Sequence, residues 1–291
     1  MLADILRALD TGDLVVLTLL DFSAAFDMVD HATLLRRLEV SYGLRGHVLG
    51  WFQSYLDGHT QYVRRGTSSS TVTFRLCGVP QGSVLEPILS VLYMADLLWL
   101  VNKHQLCPHL YADDTQMYGS CHPSAPSQLQ ERVSACVDEV ALLMWSNWLQ
   151  LNTSKTEVLW CASSRHQHRI PRTPSRVSFD IIQPASSVRD LGFYLNANAS
   201  MRMYLSRTVS NCFAVLRQIQ SIPRSLTRPV LQSLVISLVM PRLDYGNEIL
   251  AGLPDNQLSR LQSALKAAAR LIFSTRKYEA VSPLLCDLHW L

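Results

Sequence analysis

The stretch that most constrains the fold is His109-Leu110-Tyr111-Ala112-Asp113-Asp114-Thr115-Gln116-Met117-Tyr118, where two short strand-forming runs flank an adjacent pair of carboxylates. The pattern predicts a tight hairpin carrying both acids. Two negative charges so close repel each other unless one takes a proton or a cation sits between them. Asp is also a common turn residue, because its side chain bonds the local backbone. The pair alone therefore does not separate a plain turn from a site. A second run adds the missing constraint. Leu14-Val15-Val16-Leu17-Thr18-Leu19-Leu20 is apolar, partly β-branched, and stops at Asp21, as a buried strand would. With that strand beside the hairpin, Asp21, Asp113 and Asp114 converge at one end of a sheet. Such a cluster suits Mg²⁺, which takes hard oxygen ligands and keeps positions open for phosphates. Two such ions clamp the attacking and leaving oxygens of an in-line phosphoryl transfer.

A chain of 291 residues makes one large or two modest domains. With 48% hydrophobic and 17% charged residues, a sizeable core is expected and global disorder is not. The seven cysteines, at 77, 107, 121, 136, 161, 212 and 286, are scattered without a CxxC pair. That pattern argues for a reducing compartment, and against a disulfide framework or a zinc site. His166 and His168, near Cys161, read as part of a solvated loop. The first residues lack a signal-peptide apolar region. The most membrane-like run, Ser83 to Val101, contains Glu86, Pro87 and Asp96 and reads as a buried helix. The expectation is an intracellular protein of the nucleus or cytoplasm, neither secreted nor membrane-bound.

Charge is unevenly placed. Residues 1–150 carry 9 basic and 15 acidic residues; residues 151–291 carry 17 and 8. An acidic half holding the carboxylates joined to a basic half suits a metal-dependent site attached to a surface that grips a polyanion. Ordinary surface charge explains the imbalance equally well.

Taken in order, Met1–Asp10 predicts a helix, followed by the first strand. Asp30 stands as N-cap of a helix through Val40, and a second helix covers Leu44–Leu56. Gln61–Arg65 and Thr71–Leu76 form a hairpin around a Gly/Ser/Thr loop. Cys77-Gly78-Val79-Pro80-Gln81-Gly82-Ser83 is a loop whose backbone can approach a ligand closely, and a long apolar helix follows to Val101. After the acidic hairpin, Ser127-Gln128-Leu129-Gln130 has capping-box form. Leu129, Val133, Cys136, Val137, Val140, Leu143, Met144 and Trp148 then recur at helical spacing as a core stripe. Glu157–Cys161 is a strand, and Val177–Ile182 and Val188–Leu195 are further strands. The pattern is helical over 202–220, 225–239 and 255–273.

The order β-α-β-β-α-β with a hairpin insertion is the split βαβ, or ferredoxin-like, arrangement, in which the first strand and the acidic hairpin are central neighbours. The predicted class is α+β: an antiparallel palm-like sheet followed by a mostly α-helical domain. The predicted division is a palm over 1–162, a basic loop over 163–176, the end of the palm over 177–197, and a helical domain over 198–291.

Leu20-Asp21-Phe22-Ser23-Ala24-Ala25-Phe26-Asp27, Gly78-Val79-Pro80-Gln81-Gly82-Ser83, Tyr111-Ala112-Asp113-Asp114 and Leu151-Asn152-Thr153-Ser154-Lys155-Thr156 resemble, in order, four motifs of reverse transcriptases. Val188-Arg189-Asp190-Leu191-Gly192 resembles a fifth. Each is weak alone, but five in order are specific. The wording is nearest to non-LTR, LINE-type retrotransposons of the jockey kind, and the resemblance covers most of the chain. It implies a polymerase palm with part of a thumb. Asp21 and Asp113 would hold two Mg²⁺ ions, or Mn²⁺ in their place, and Asp114 would complete the acidic group. Phe26 matches the steric gate against a ribose 2′-hydroxyl. Gln81 and Gly82, with Tyr111, match positions that contact the incoming nucleotide and template. Lys155 matches a proton donor to pyrophosphate, and Leu191 and Gly192 match the primer grip. The implied partners are an RNA template, a DNA primer and dNTPs.

Departures accompany the resemblance. The fingers and endonuclease expected upstream are absent from this sequence, and the chain stops where such elements continue. Glu86 replaces a usual glycine, where it would either repel phosphates or cap the following helix; Ala95 replaces an asparagine. Two readings of function stand: an RNA-directed DNA polymerase fragment, and an inactive remnant that binds nucleic acid through its basic half. A helical protein-interaction module is a third.

Overall fold

The computed structural model describes residues 1–23, 27–80, 82–112, 114–178, 180–222, 226–276 and 278–290. It divides into two compact units, Met1–Leu191 with Asn196–Ala199, and Gly192–Leu195 with Ser200–Leu291.

The first unit is organised by a four-stranded antiparallel sheet in the spatial order Glu157–Cys161, Leu14–Leu20, Asp114–Cys121, Cys107–Tyr111. This is the split βαβ order, with the first strand and the acidic hairpin as neighbours. Side chains alternate across a strand, so the register sorts them into two faces. Leu14, Val16, Leu20, Met117, Val158 and Trp160 join the core beneath the helices His31–Val40, Glu86–Tyr93, Asp96–Lys103 and Pro126–Ser146. The opposite face carries Val15, Leu17, Leu159 and Cys161, all buried. There Tyr118 donates to Asp4 of the helix Leu2–Asp10 over 2.8 Å. Because both faces are covered, an antiparallel strand reads as one continuous apolar run rather than an alternating one.

Within this run Thr18 is fully buried and its hydroxyl has no hydrogen-bond partner among the described residues. A buried hydroxyl without a partner costs about 1–3 kcal/mol. Thr18→Val is therefore expected to raise stability by about 1 kcal/mol, measured as a higher urea midpoint.

Local chemistry accounts for most helix boundaries. The Asp30 carboxylate caps its helix by accepting from the Thr33 amide at 2.7 Å, and Pro126 occupies the first turn of the long helix. Several expectations are corrected. The helix expected from Leu44 begins at His47, after Gly46 at φ +57°. The hairpin expected from Gln61–Arg65 and Thr71–Leu76 is present, but as two nested two-residue ladders, Thr60–Gln61 with Thr73–Phe74 and Arg64–Arg65 with Ser68–Ser69, both exposed. Ser127 does not cap its helix: Ala125 is the N-cap without a side-chain bond, and Gln130 donates instead to the Pro174 carbonyl. Trp148 lies past the helix end at φ +60° and is 69% exposed, so it leaves the core stripe. The strand expected over Val188–Leu195 is two, Ser187–Asp190 and Phe193–Asn196, interrupted at Leu191-Gly192. The polar stretch 163–176 contains a 3₁₀ turn, Gln167–Arg169, and opens the strand Ser175–Val177.

The helix expected from Ser83 to Val101 is broken into Glu86–Tyr93 and Asp96–Lys103. The cause lies outside it. Arg37 donates one guanidinium arm to the Tyr93 carbonyl, the group that a continuous helix would use to accept from residue 97. The other arm reaches Asn147 Oδ1 at 3.0 Å and Asp96 Oδ2 at 2.8 Å.

The second unit is helical, built on Arg202–Ser221, Arg228–Leu238 and Asp255–Phe273 with shorter helices between and after them. Ala264, Ala268 and Ala269 are fully buried and pack with Cys212, Leu216 and Val235, small side chains that let helices approach closely. Phe193 packs between Tyr204 and Tyr245, at centroid distances of 4.8 and 5.1 Å.

Candidate active site

Asp21 follows the last residue of the first strand, and that strand's register ends with Leu20 opposite Thr115. Asp114 is the next residue on the neighbouring strand and faces Tyr111 across the hairpin. The two acids thus leave adjoining strands at the same end of the sheet. Ala112 turns the hairpin at φ +54°. Asp113, Phe26 and Gln81 lie outside the described residues. Tyr111 is 63% exposed beside the acids.

A second short ladder, Phe22–Ser23 against Gln150–Leu151, draws the following loop to the same place. The Asn152 amide donates to the Asp21 carbonyl at 2.8 Å, and the Asn152 carbonyl accepts from the Thr156 amide and hydroxyl at 3.0 and 2.9 Å. This closed turn sets Lys155 with its Nζ 3.8 Å from Asp21 Oδ2. The Lys155 side chain is 70% exposed, so the pair itself contributes no more than about 1 kcal/mol. Asp21 Oδ2 is hidden from solvent and accepts no hydrogen bond among the described residues. An ionised oxygen left in that state is costly, and a cation would satisfy it. The donor set therefore fits a hard divalent ion.

Gly82 adopts φ +76°, and its N–H donates to the Glu86 carboxylate in a short hydrogen bond. Ser83 Oγ accepts from the Glu86 amide at 3.2 Å and from the Tyr55 hydroxyl at 3.0 Å. Glu86 does not cap the helix, whose N-cap Leu85 has no side-chain hydrogen bond; from the first helical turn its carboxylate folds back onto the Gly82 N–H of the loop. Ala95 precedes Asp96, whose carboxylate pairs with Arg37. Leu191 and Gly192 turn the chain at φ +43° and +85°. A Cβ on Gly192 would come within 3.1 Å of the Tyr245 ring, so only glycine fits there.

Sequence reasoning missed one group. Gln116, two residues beyond Asp114, is buried and donates to Asp190 Oδ1 at 2.7 Å, while His109 Nδ1 lies 2.5 Å from its Oε1. Burial raises the Asp190 carboxyl above the usual carboxylate range, helped by the charge of Asp114 and opposed by His109. Gln116 and Asp190 both fall within or beside quoted motifs, but no local pattern signals that they meet.

A sheet of this order, with acids at the end of two neighbouring strands, is a split βαβ arrangement within an α+β fold. Residues 5–195 match the family model described as reverse transcriptase (RNA-dependent DNA polymerase). The chain belongs to the reverse transcriptase family. It is 26% identical over 297 residues to the probable RNA-directed DNA polymerase from transposon BS of Drosophila melanogaster, which covers 98% of this chain and 32% of that protein. It is 27% identical to the RNA-directed DNA polymerase from mobile element jockey of the same fly, over 71% of this chain and 22% of that protein. These relatives uphold the LINE-type resemblance. The chain spans about a third or less of their length. Among solved structures, apo telomerase from Candida tropicalis aligns over 94% of this chain and 43% of its own, at 14% identity and TM-score 0.49. No described helix is long and apolar enough to cross a membrane.

Proposed function

We propose that this chain is the palm and part of the thumb of an RNA-directed DNA polymerase from a LINE-type retrotransposon. It would extend a DNA primer on an RNA template with dNTPs. The observation that carries this reading is the register Leu20 opposite Thr115, which sets Asp21 beside Asp114, the sequence neighbour of Asp113. These three residues would hold Mg²⁺, or Mn²⁺ in its place. When bound, such ions supply charge stabilisation for the attacking 3′-oxygen and the departing pyrophosphate. Lys155, whose Nζ lies 3.8 Å from Asp21 Oδ2, would give a proton to the leaving group. Phe26 would exclude the ribose 2′-hydroxyl by bulk, Gln81, Gly82 and Tyr111 would contact nucleotide and template, and Leu191-Gly192 would contact the primer end.

The test is extension of a primed RNA template with dNTPs and Mg²⁺, run beside Asp113→Ala. Extension above that control supports an enzyme. No extension, with binding that weakens steeply with salt, would favour the second reading, a nucleic-acid binder acting through the basic residues 151–291.

Glu86 supplies a further expectation. Its carboxylate occupies the Gly82 N–H, a donor that the loop would otherwise offer to the nucleotide. Glu86→Gly is expected to lower KM for dNTP about 3- to 10-fold, because a competing anion is removed. It should also cost about 0.3–1 kcal/mol of stability from the lost carboxylate at the helix start. Steady-state kinetics with a thermal melt reads both; an unchanged or higher KM contradicts the competition.

A further inference from the structure

Gln116 is 1% exposed and stands between two polar partners. The side-chain nitrogen of Gln116 donates to Asp190 Oδ1 at 2.7 Å. Its oxygen is then left toward His109 Nδ1 at 2.5 Å, and that ring nitrogen must carry the proton. The direction of the chain is fixed throughout: His109 donates to Gln116, and Gln116 donates to Asp190. His109 is also the cross-strand partner of Gln116. Asp190, 6% exposed, is thereby tied to both strands of the acidic hairpin.

The residue after Asp190 explains what such a tie is for. Leu191 takes φ +43°, a left-handed conformation costly for a bulky side chain. Strained turns keep their shape only where their flanks are held. Asp190 is the N-terminal flank of this turn, and its holder, Gln116, lies two residues from Asp114 on the same strand.

We propose that Asp190 is a positioning residue for the primer end: through Gln116 it fixes Leu191, the next residue, in register with the strand that carries Asp114. This rests on the polymerase reading above. Nucleotidyl transfer needs its reacting atoms about 3–3.5 Å apart, so a primer-contacting turn that drifts from the carboxylates would weaken productive primer binding.

The experiment uses the 291-residue chain as wild type, Asp190→Ala, Asp190→Asn, Gln116→Met and the double variant Asp190→Ala/Gln116→Met. Each is measured by extension kinetics on a primed RNA hairpin and by the histidine ring nitrogen spectrum, with His109→Gln identifying the resonance. Asp190→Ala and Gln116→Met are each expected to raise KM for the primed template about tenfold, with kcat within about twofold and KM for dNTP unchanged. The double variant should be no worse than either single one, because residues acting as one unit are not additive. Asp190→Asn, whose amide oxygen still accepts from Gln116, should stay within about threefold of wild type. The His109 Nδ1–H signal should be present in wild type and lost in Gln116→Met, which removes its acceptor.

Additive effects, or a lower melting temperature without a higher primer KM, would overturn the assignment. Should Asp190→Ala fail to fold, Gln116→Met and Asp190→Asn decide it: the first must raise primer KM and the second must not. A wild type that extends primers while its variants keep primer KM defeats this proposal alone. A wild type that extends nothing defeats the polymerase reading and this proposal with it.

Discussion

Arg37→Met is expected to be among the most destabilising single changes in the first unit, lowering its stability by about 3 kcal/mol. The Arg37 side chain is only 14% exposed. It donates to the Tyr93 carbonyl and to Asn147 Oδ1, pairs with Asp96, and lies 5.3 Å from the Tyr93 ring centroid. One side chain on the helix His31–Val40 thus ties together the break between two helices and the end of the long helix Pro126–Ser146. Methionine keeps much of the bulk but leaves a carbonyl and an amide oxygen buried without donors, the costly half of losing a hydrogen bond. The Asp96 partner is 59% exposed, so Asp96→Ala should cost no more than about 1 kcal/mol. A loss of 3 kcal/mol in a unit of this size corresponds to a melting temperature lower by about 6–12 °C. Thermal melts of the two variants check the contrast; equal shifts would mean that the surface pair, not the buried donors, holds the helices.

Asp21→Asn is expected to abolish extension, by at least about 10²- to 10³-fold in kcat, while leaving the fold intact. The side chain is 38% exposed and leaves the sheet at its end, so an isosteric amide fits without repacking. What it removes is the charge at an oxygen that accepts no hydrogen bond among the described residues and lies 3.8 Å from the Lys155 ammonium. Melting within about 1 °C of wild type together with lost extension assigns Asp21 to the chemistry. Retained extension would remove it from the site.

Much of this arrangement was legible in the residues because it is local or periodic. The run Leu14–Leu20, the stripe Leu129 to Met144 and the Asp30 cap each follow from short-range rules, and the element order dictates the sheet. The misses share a cause: a partner distant in sequence wins over the local pattern. Arg37 breaks an apolar helix more than fifty residues downstream by taking the Tyr93 carbonyl. Pro126 takes the first helical turn, so Ser127 falls inside the helix and its capping-box form is not used. Gln116 looks like an ordinary strand residue until the fold brings Asp190 to it, 74 positions away. Glu86 left two readings open in sequence because its partner, the Gly82 N–H, is set by the fold of the loop rather than by the helix that follows.

The most direct measurement is paramagnetic broadening by Mn²⁺ of the backbone amide spectrum, in wild type and Asp21→Asn. Substoichiometric Mn²⁺ is expected to broaden amides at 20–22 and 114–116 first, since strand register places them at one end of the sheet, and the effect should disappear in Asp21→Asn. Broadening centred elsewhere, or unchanged by that substitution, would contradict a divalent-cation site built by these carboxylates.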